Sequence, residues 1–129
     1  MFTRNENGQL KPLPELLKAF LDSLRDPFVF VDTDHIIRYM NQRAIKQYKA
    51  GNELLNRSLM ECHNEKSQQI IKETLKALQD GEDERLIHAS ASKRLYMRAV
   101  RDVNGRLLGY YERFEFPAIT LKTLKNNES

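Results

Sequence analysis

Only one cysteine, Cys62, occurs in the chain, so an internal disulfide is excluded and a reducing, cytoplasmic setting is the expectation. Glycine is sparse, and neither a phosphate-binding glycine loop nor a nucleophile elbow can be read. No apolar run approaches the roughly 18 residues of a membrane span. The opening MFTRNENGQLKP also lacks the basic-then-apolar build of a secretory signal. An excess of one charge is missing too: 21 Lys and Arg stand against 18 Asp and Glu, net +3, with acids set among the bases. Phosphate binding needs a clustered basic face, so no nucleic acid and no membrane is expected as a partner. What is present is 129 residues, 40% hydrophobic and 30% charged. That suffices for one globular domain but not for a sensor joined to a separate catalytic domain.

Residues 1–12 are polar, hold Gly8 and Pro12, and read as a flexible arm. LPELLKAFLDSL then spaces Leu13, Leu17, Phe20 and Leu24 along one helical stripe, with Pro14 suited to a first turn, which predicts a flanking helix over 13–25 ended by Asp26-Pro27. FVFV and IIRYM, parted by the turn-forming DTDH, predict a hairpin. Short helical turns follow, then a long helix over about 67–80 that places Ile70, Ile71, Thr74, Leu75 and Leu78 on one face and meets Gly81 where a left-handed residue is wanted. ERLIHASAS, RLYMRAVRD and RLLGYYERFEF predict three more strands, the last two joined through Asn104-Gly105, a pair able to take the positive backbone angles of a tight turn. Strands at both ends with helices between them imply an α+β fold: one antiparallel sheet with helices on one face, over 26–116, and a fraying tail over 117–129.

Between sheet and helices lies the natural ligand site. Strict alternation with Arg38 outward turns Ile37 and Tyr39 toward the helices, and Arg98 outward turns Met97 inward. Met60 offers an adaptable wall, Ala89 leaves space, and Ile71 and Leu75 face the site from the long helix. Cys62-His63 poses a sharper question. Zinc wants about four ligands, commonly at short paired intervals, and adjacent side chains on a helix sit about 100° apart, so neither a metal site nor a catalytic dyad is expected. The expectation is a junction: Cys62 as a small buried hydrophobe, His63 reaching loop carbonyls or the pocket rim, and Asn64 capping the long helix.

VFVDTDHIIRYMNQRA and YMRAVRDVNGRLLGYYERF, with the Cys-His pair ahead of the long helix, resemble the PAS sensor-domain family over roughly 14–116. The resemblance implies a five-stranded antiparallel sheet with helices on one face and signalling through flanking helices. From it follows the expectation of a non-enzymatic sensory or regulatory domain that binds a small organic ligand. Ligand binding would repack the long helix against the strands and alter the terminal helix, passing the change to a signalling partner in trans. No cofactor is firmly expected. A ligandless dimerisation module and a haem-based gas or redox sensor are the alternatives; haem ranks lower because the long helix carries no histidine and His63 only precedes it. The stripe Leu13, Leu17, Phe20 and Leu24 is the expected contact of a homodimer.

Overall fold

The computed structural model describes residues 2–4, 10–12 and 14–116. Phe2–Arg4 (β1) pairs antiparallel with Leu10–Pro12 (β2), Phe2 opposite Pro12 and Arg4 opposite Leu10. The expected loose arm therefore holds a strand pair. The tail over 117–129 and Leu13 lie outside the described residues.

Pro14–Asp22 forms α1, with Pro14 in the first turn. It stops well short of Asp26-Pro27, because the Ser23 amide is shared between the carbonyls of Ala19 and Phe20 and the Ser23 hydroxyl donates to Phe20 O at 2.6 Å. Local capping thus ends the helix before proline can act.

Val29–Asp32 (β3), Ile37–Met40 (β4), Glu84–Ala89 (β5), Arg94–Arg101 (β6) and Leu107–Glu115 (β7) make a five-stranded sheet in the order β4-β3-β7-β6-β5, each neighbour antiparallel. Between β4 and β5 run α2 (Gln42–Gln47), 3₁₀ turns at Gly51–Leu54 and Leu59–Cys62, and α3 (Glu65–Gln79). Val29, Val31, Ile37, Met97 and Tyr110 from the sheet meet Ala44 of α2 and Ile71, Leu75 and Leu78 of α3 in one buried cluster. Fully burying each large aliphatic side chain there stabilises the fold by about 1.5–3 kcal/mol.

Two polar side chains tie the layers together. Asn41, wholly buried, accepts from the amides of Ala44 and Phe28 and donates to the carbonyls of Leu21 and Asp26, so all four of its hydrogen bonds are made. It caps α2 and at the same time fastens the end of α1 to the sheet. Arg101 donates to Leu78 O at 2.6 Å and Glu82 O at 3.0 Å at the end of α3, where Gly81 takes φ +112° and closes the helix through Gly81 N to Leu78 O and Glu82 N to Ala77 O. At the other end Asn64 accepts from Ser67 N at 2.9 Å, and α3 begins slightly earlier than its apolar spacing indicates.

Candidate functional site

A cavity of about 100 Å³ lies between the sheet and the connection from α2 to α3. The sheet supplies Val29, Val31, Ile37, Met40, Tyr110 and Glu112; the connection supplies Tyr48, Leu54, Leu59, Cys62 and His63. A second cavity of about 230 Å³ shares His63 and Glu112 and is walled by Ile70 and Ile71 of α3, Ile87 and His88 of β5, and Leu95 of β6. His63 and Glu112 thus stand on the boundary between two spaces.

Ile37, Cys62 and His63 are the sequence-derived candidates that line the first cavity, and Ile71 lines the second. Leu75 and Met97 are buried in the core, and Met60 packs against it from the 3₁₀ turn. Tyr39 is on the other side of the sheet. Phe30 pairs with Tyr39 while Val31 pairs with Ile37, so Arg38 is an extra residue, and this bulge breaks the strict alternation that would have turned Tyr39 inward. Tyr39 packs on Phe28 with ring centroids 6.4 Å apart and donates to Asp22 at 3.4 Å. Ala89 is exposed at the end of β5 and walls neither cavity, because the register shift between Leu86 and His88 sets His88 opposite Leu95 and Ala89 opposite Arg94, on the outward face.

Cys62 is exposed, contrary to a buried hydrophobe, and its thiol donates to Leu59 O at 3.3 Å. The His63 Nδ1 lies 2.9 Å from the same carbonyl. A carbonyl only accepts, so Nδ1 carries the proton and Nε2 is the ring's open acceptor in the neutral imidazole. Gln68 donates to Met60 O and His63 O at 2.9 and 2.8 Å, holding the segment on the first turn of α3. Among the described residues no group of three or more His, Cys, Asp and Glu side chains is placed to hold a metal ion.

The residues that sequence reasoning missed are the polar ones of the sheet side and the connection. Burial pushes the Glu112 carboxyl above its ordinary range, against the pull of His63 and Lys93. Burial pushes Tyr48 up to about 12, helped by Glu112, and raises Tyr110 in the same way. Tyr110, 1% exposed, is held by His35, whose Nδ1 is 2.9 Å from its hydroxyl. Counting by twos along β7 from Tyr110 to Phe114 passes through Glu112; that alternation was the available signal.

The PAS domain family profile matches residues 17–115. A C-terminal domain from Streptococcus mutans superposes with a TM-score of 0.71 at 22% identity, covering 95% of this chain and 97% of that one. A sensory box sensor histidine kinase from Vibrio cholerae gives 0.55 at 15% identity, over 80% and 91% of the two chains. A phage VqmA in complex with DPO gives 0.60 at 15% identity, over 88% of this chain and 56% of that one. At these identities the likeness is one of fold, and no curated protein sequence matches the chain. The profile spans most of the chain and agrees with the observed sheet order and intervening helices, so this chain belongs to the PAS domain family of sensory and regulatory modules.

Proposed function

We propose that this PAS domain is a non-enzymatic sensor that binds a small organic ligand in the cavity between sheet and connection and passes the occupancy to a partner through α1. The observation that carries this reading is the cavity itself: about 100 Å³ walled by aliphatic side chains, with Tyr48, His63, Tyr110 and Glu112 converging on it. A mostly apolar pocket with a few placed polar groups is the usual form of a small-molecule site. The phage VqmA complex with DPO has a related fold and supports the reading without assigning a ligand.

The responding element in this reading is the connection over 48–63 rather than α3, which contributes no wall to the first cavity. A ligand that favours one packing of this connection shifts its population, and Asn41 and Asp22 link the shift to α1 through Leu21 O and Gln42 N. Leu17 and Phe20 of α1 and Leu24 just beyond it are 47%, 58% and 44% exposed, which supports a homodimer contact there as the route of output. An exposed free thiol at Cys62 suits a reducing, cytoplasmic compartment. A haem macrocycle exceeds the drug-sized ligands that need roughly 300 Å³ or more, so the first cavity does not fit it even though His63 presents an open nitrogen.

The test is native mass spectrometry of the purified protein followed by solvent extraction, on wild type and on Leu59→Trp, which fills the cavity. A retained small molecule in wild type that Leu59→Trp loses supports the reading. No retained molecule, together with no stabilisation by any member of a metabolite panel, points to the ligandless dimerisation module.

A further inference from the structure

Resting on that ligand-binding reading, we infer that the cavity selects compact amines, whose N–H groups meet the Glu112 carboxyl and the open Nε2 of His63. Glu112 sits between Tyr110 and Phe114 on the cavity side of β7, opposite Met97, and borders both cavities. Among the described residues no sealed side-chain oxygen or nitrogen lacks a partner, and the Glu112 side chain lines both cavities. His63 is turned the same way in chemical terms: Leu59 O takes its Nδ1 proton and leaves an acceptor. Cys62 gives its own proton to that carbonyl too. The Tyr48 hydroxyl can donate, but Glu112 and His63 offer acceptors and ask for donors.

Charge and size narrow the class further. An anion would meet Glu112, and a hydrocarbon would leave that carboxyl buried without a partner, which costs free energy. A protonated amine supplies both the opposite charge and two or three donors. An apolar cavity of about 150 Å³ holds benzene; the first cavity, at about 100 Å³, suits a molecule of about four non-hydrogen atoms.

Isopropylamine, isopropanol and isobutyrate, titrated against wild type and Glu112→Gln with the amide resonances of Val31, Tyr110 and Glu112 as readout, decide the matter. Circular dichroism and thermal melting verify that Glu112→Gln is folded. The expected result is that wild type binds the amine at least tenfold more tightly than the alcohol and the carboxylate least of all. Glu112→Gln should lose that preference while keeping alcohol affinity within about twofold. Equal amine affinity in the two proteins, or tightest binding of the carboxylate, overturns the inference. If the alcohol binds and the amine gains nothing over it, the amine class fails while the ligand pocket stands. If none of the three binds at millimolar concentration, both fail.

Discussion

Two hairpin turns of this protein share one backbone plan and differ at a single informative position. Asp32 to Ile36 joins β3 to β4, and Asp102 to Arg106 joins β6 to β7. In each, the aspartate carbonyl accepts from the residue three on, its amide donates to the carbonyl four on, and its Oδ1 accepts from the amides two and four on. The fourth position is left-handed in both: Gly105 at φ +83°, His35 at φ +63°. Glycine takes that conformation without steric cost, whereas a residue with a Cβ loses about 1–2 kcal/mol there. The second turn projects into solvent, with Val103 99% exposed, and has nothing for a side chain to do. The first stands beside Tyr110, and its imidazole reaches the tyrosine hydroxyl at 2.9 Å. The difference teaches that the conformational cost at position 35 is met for a contact on the cavity wall.

The largest expected effect comes from the strand where the two hairpins meet. Gly109 of β7 lies opposite Asp32, and a Cβ there would run into Val31 O and come within 2.9 Å of the Asp32 Cα. Gly109→Ala should cost about 3 kcal/mol or more, because backbone rather than a flexible side chain must move. Urea denaturation measures it, and a cost below about 1 kcal/mol would show that β3 and β7 can part without loss.

Next in size is the pair Asp32→Ala and Asp102→Ala. Both remove the two Oδ1 bonds of their turn, but Asp32 also accepts from Arg38 at 2.7 Å. The expected losses are about 2 kcal/mol at Asp32 and about 1 kcal/mol at Asp102, on the scale of hydrogen bonds to a partly exposed charge. Burial alone would raise the Asp32 carboxyl, yet the bonds from Ile36 N–H, Arg38 and Asp34 N–H hold it below its usual value. Its contribution is therefore present above pH about 4 and disappears as pH falls through the depressed value. Equal losses at the two sites would remove the asymmetry.

Exchanging the left-handed residues sharpens the comparison further. Gly105→His should cost about 1 kcal/mol, since the new side chain finds no partner in solvent. His35→Gly should cost less than about 1 kcal/mol, because relief of the backbone offsets much of the lost hydrogen bond. Adding Tyr110→Phe to His35→Gly removes the stranded hydroxyl and should recover stability, a coupling that a double-mutant cycle reads. Independent effects of the two changes would mean that the contact carries no energy.

The smallest effect is in pH dependence. Burial and then Lys72 lower the His35 pKa, against the pull of Asp32 and Asp34. The unfolded chain then binds the proton more readily, so stability should fall as pH drops below about 6.5 toward the depressed folded value. His35→Gly should flatten that slope. Glu112, raised by burial, acts with the opposite sign: it favours the fold below about pH 4.5 and loses that contribution as pH rises through its folded value. An unchanged slope in His35→Gly would show that the imidazole titrates alike in both states.

Much of the fold was legible because local chemistry and global arrangement agree. The stripe through Ile71, Leu75 and Leu78 and the Gly81 stop mark α3, and DTDH and Asn104-Gly105 mark the two hairpins. The candidate site was legible only in part. Period-two alternation placed Ile37 on the cavity side but put Tyr39 there too, since a bulge is a property of two paired strands and leaves no trace in one. Asn104-Gly105 likewise reads as a pair of left-handed residues, yet only Gly105 is one, because Asp102 Oδ1 holds the Asn104 amide in the preceding turn.

Composition and periodicity by themselves determined an α+β fold, the order of its strands and helices over 14–116, and an apolar interior, since these rest on interactions between near neighbours and on hydrophobic spacing. The tertiary structure alone decided that Glu112 and His63 line one cavity, that Leu59 O holds the His63 ring by Nδ1, and that His35 holds Tyr110 across the sheet. The first and the last depend on residues distant in the chain arriving beside one another, and the solvation and charge of a buried group follow from what arrives beside it.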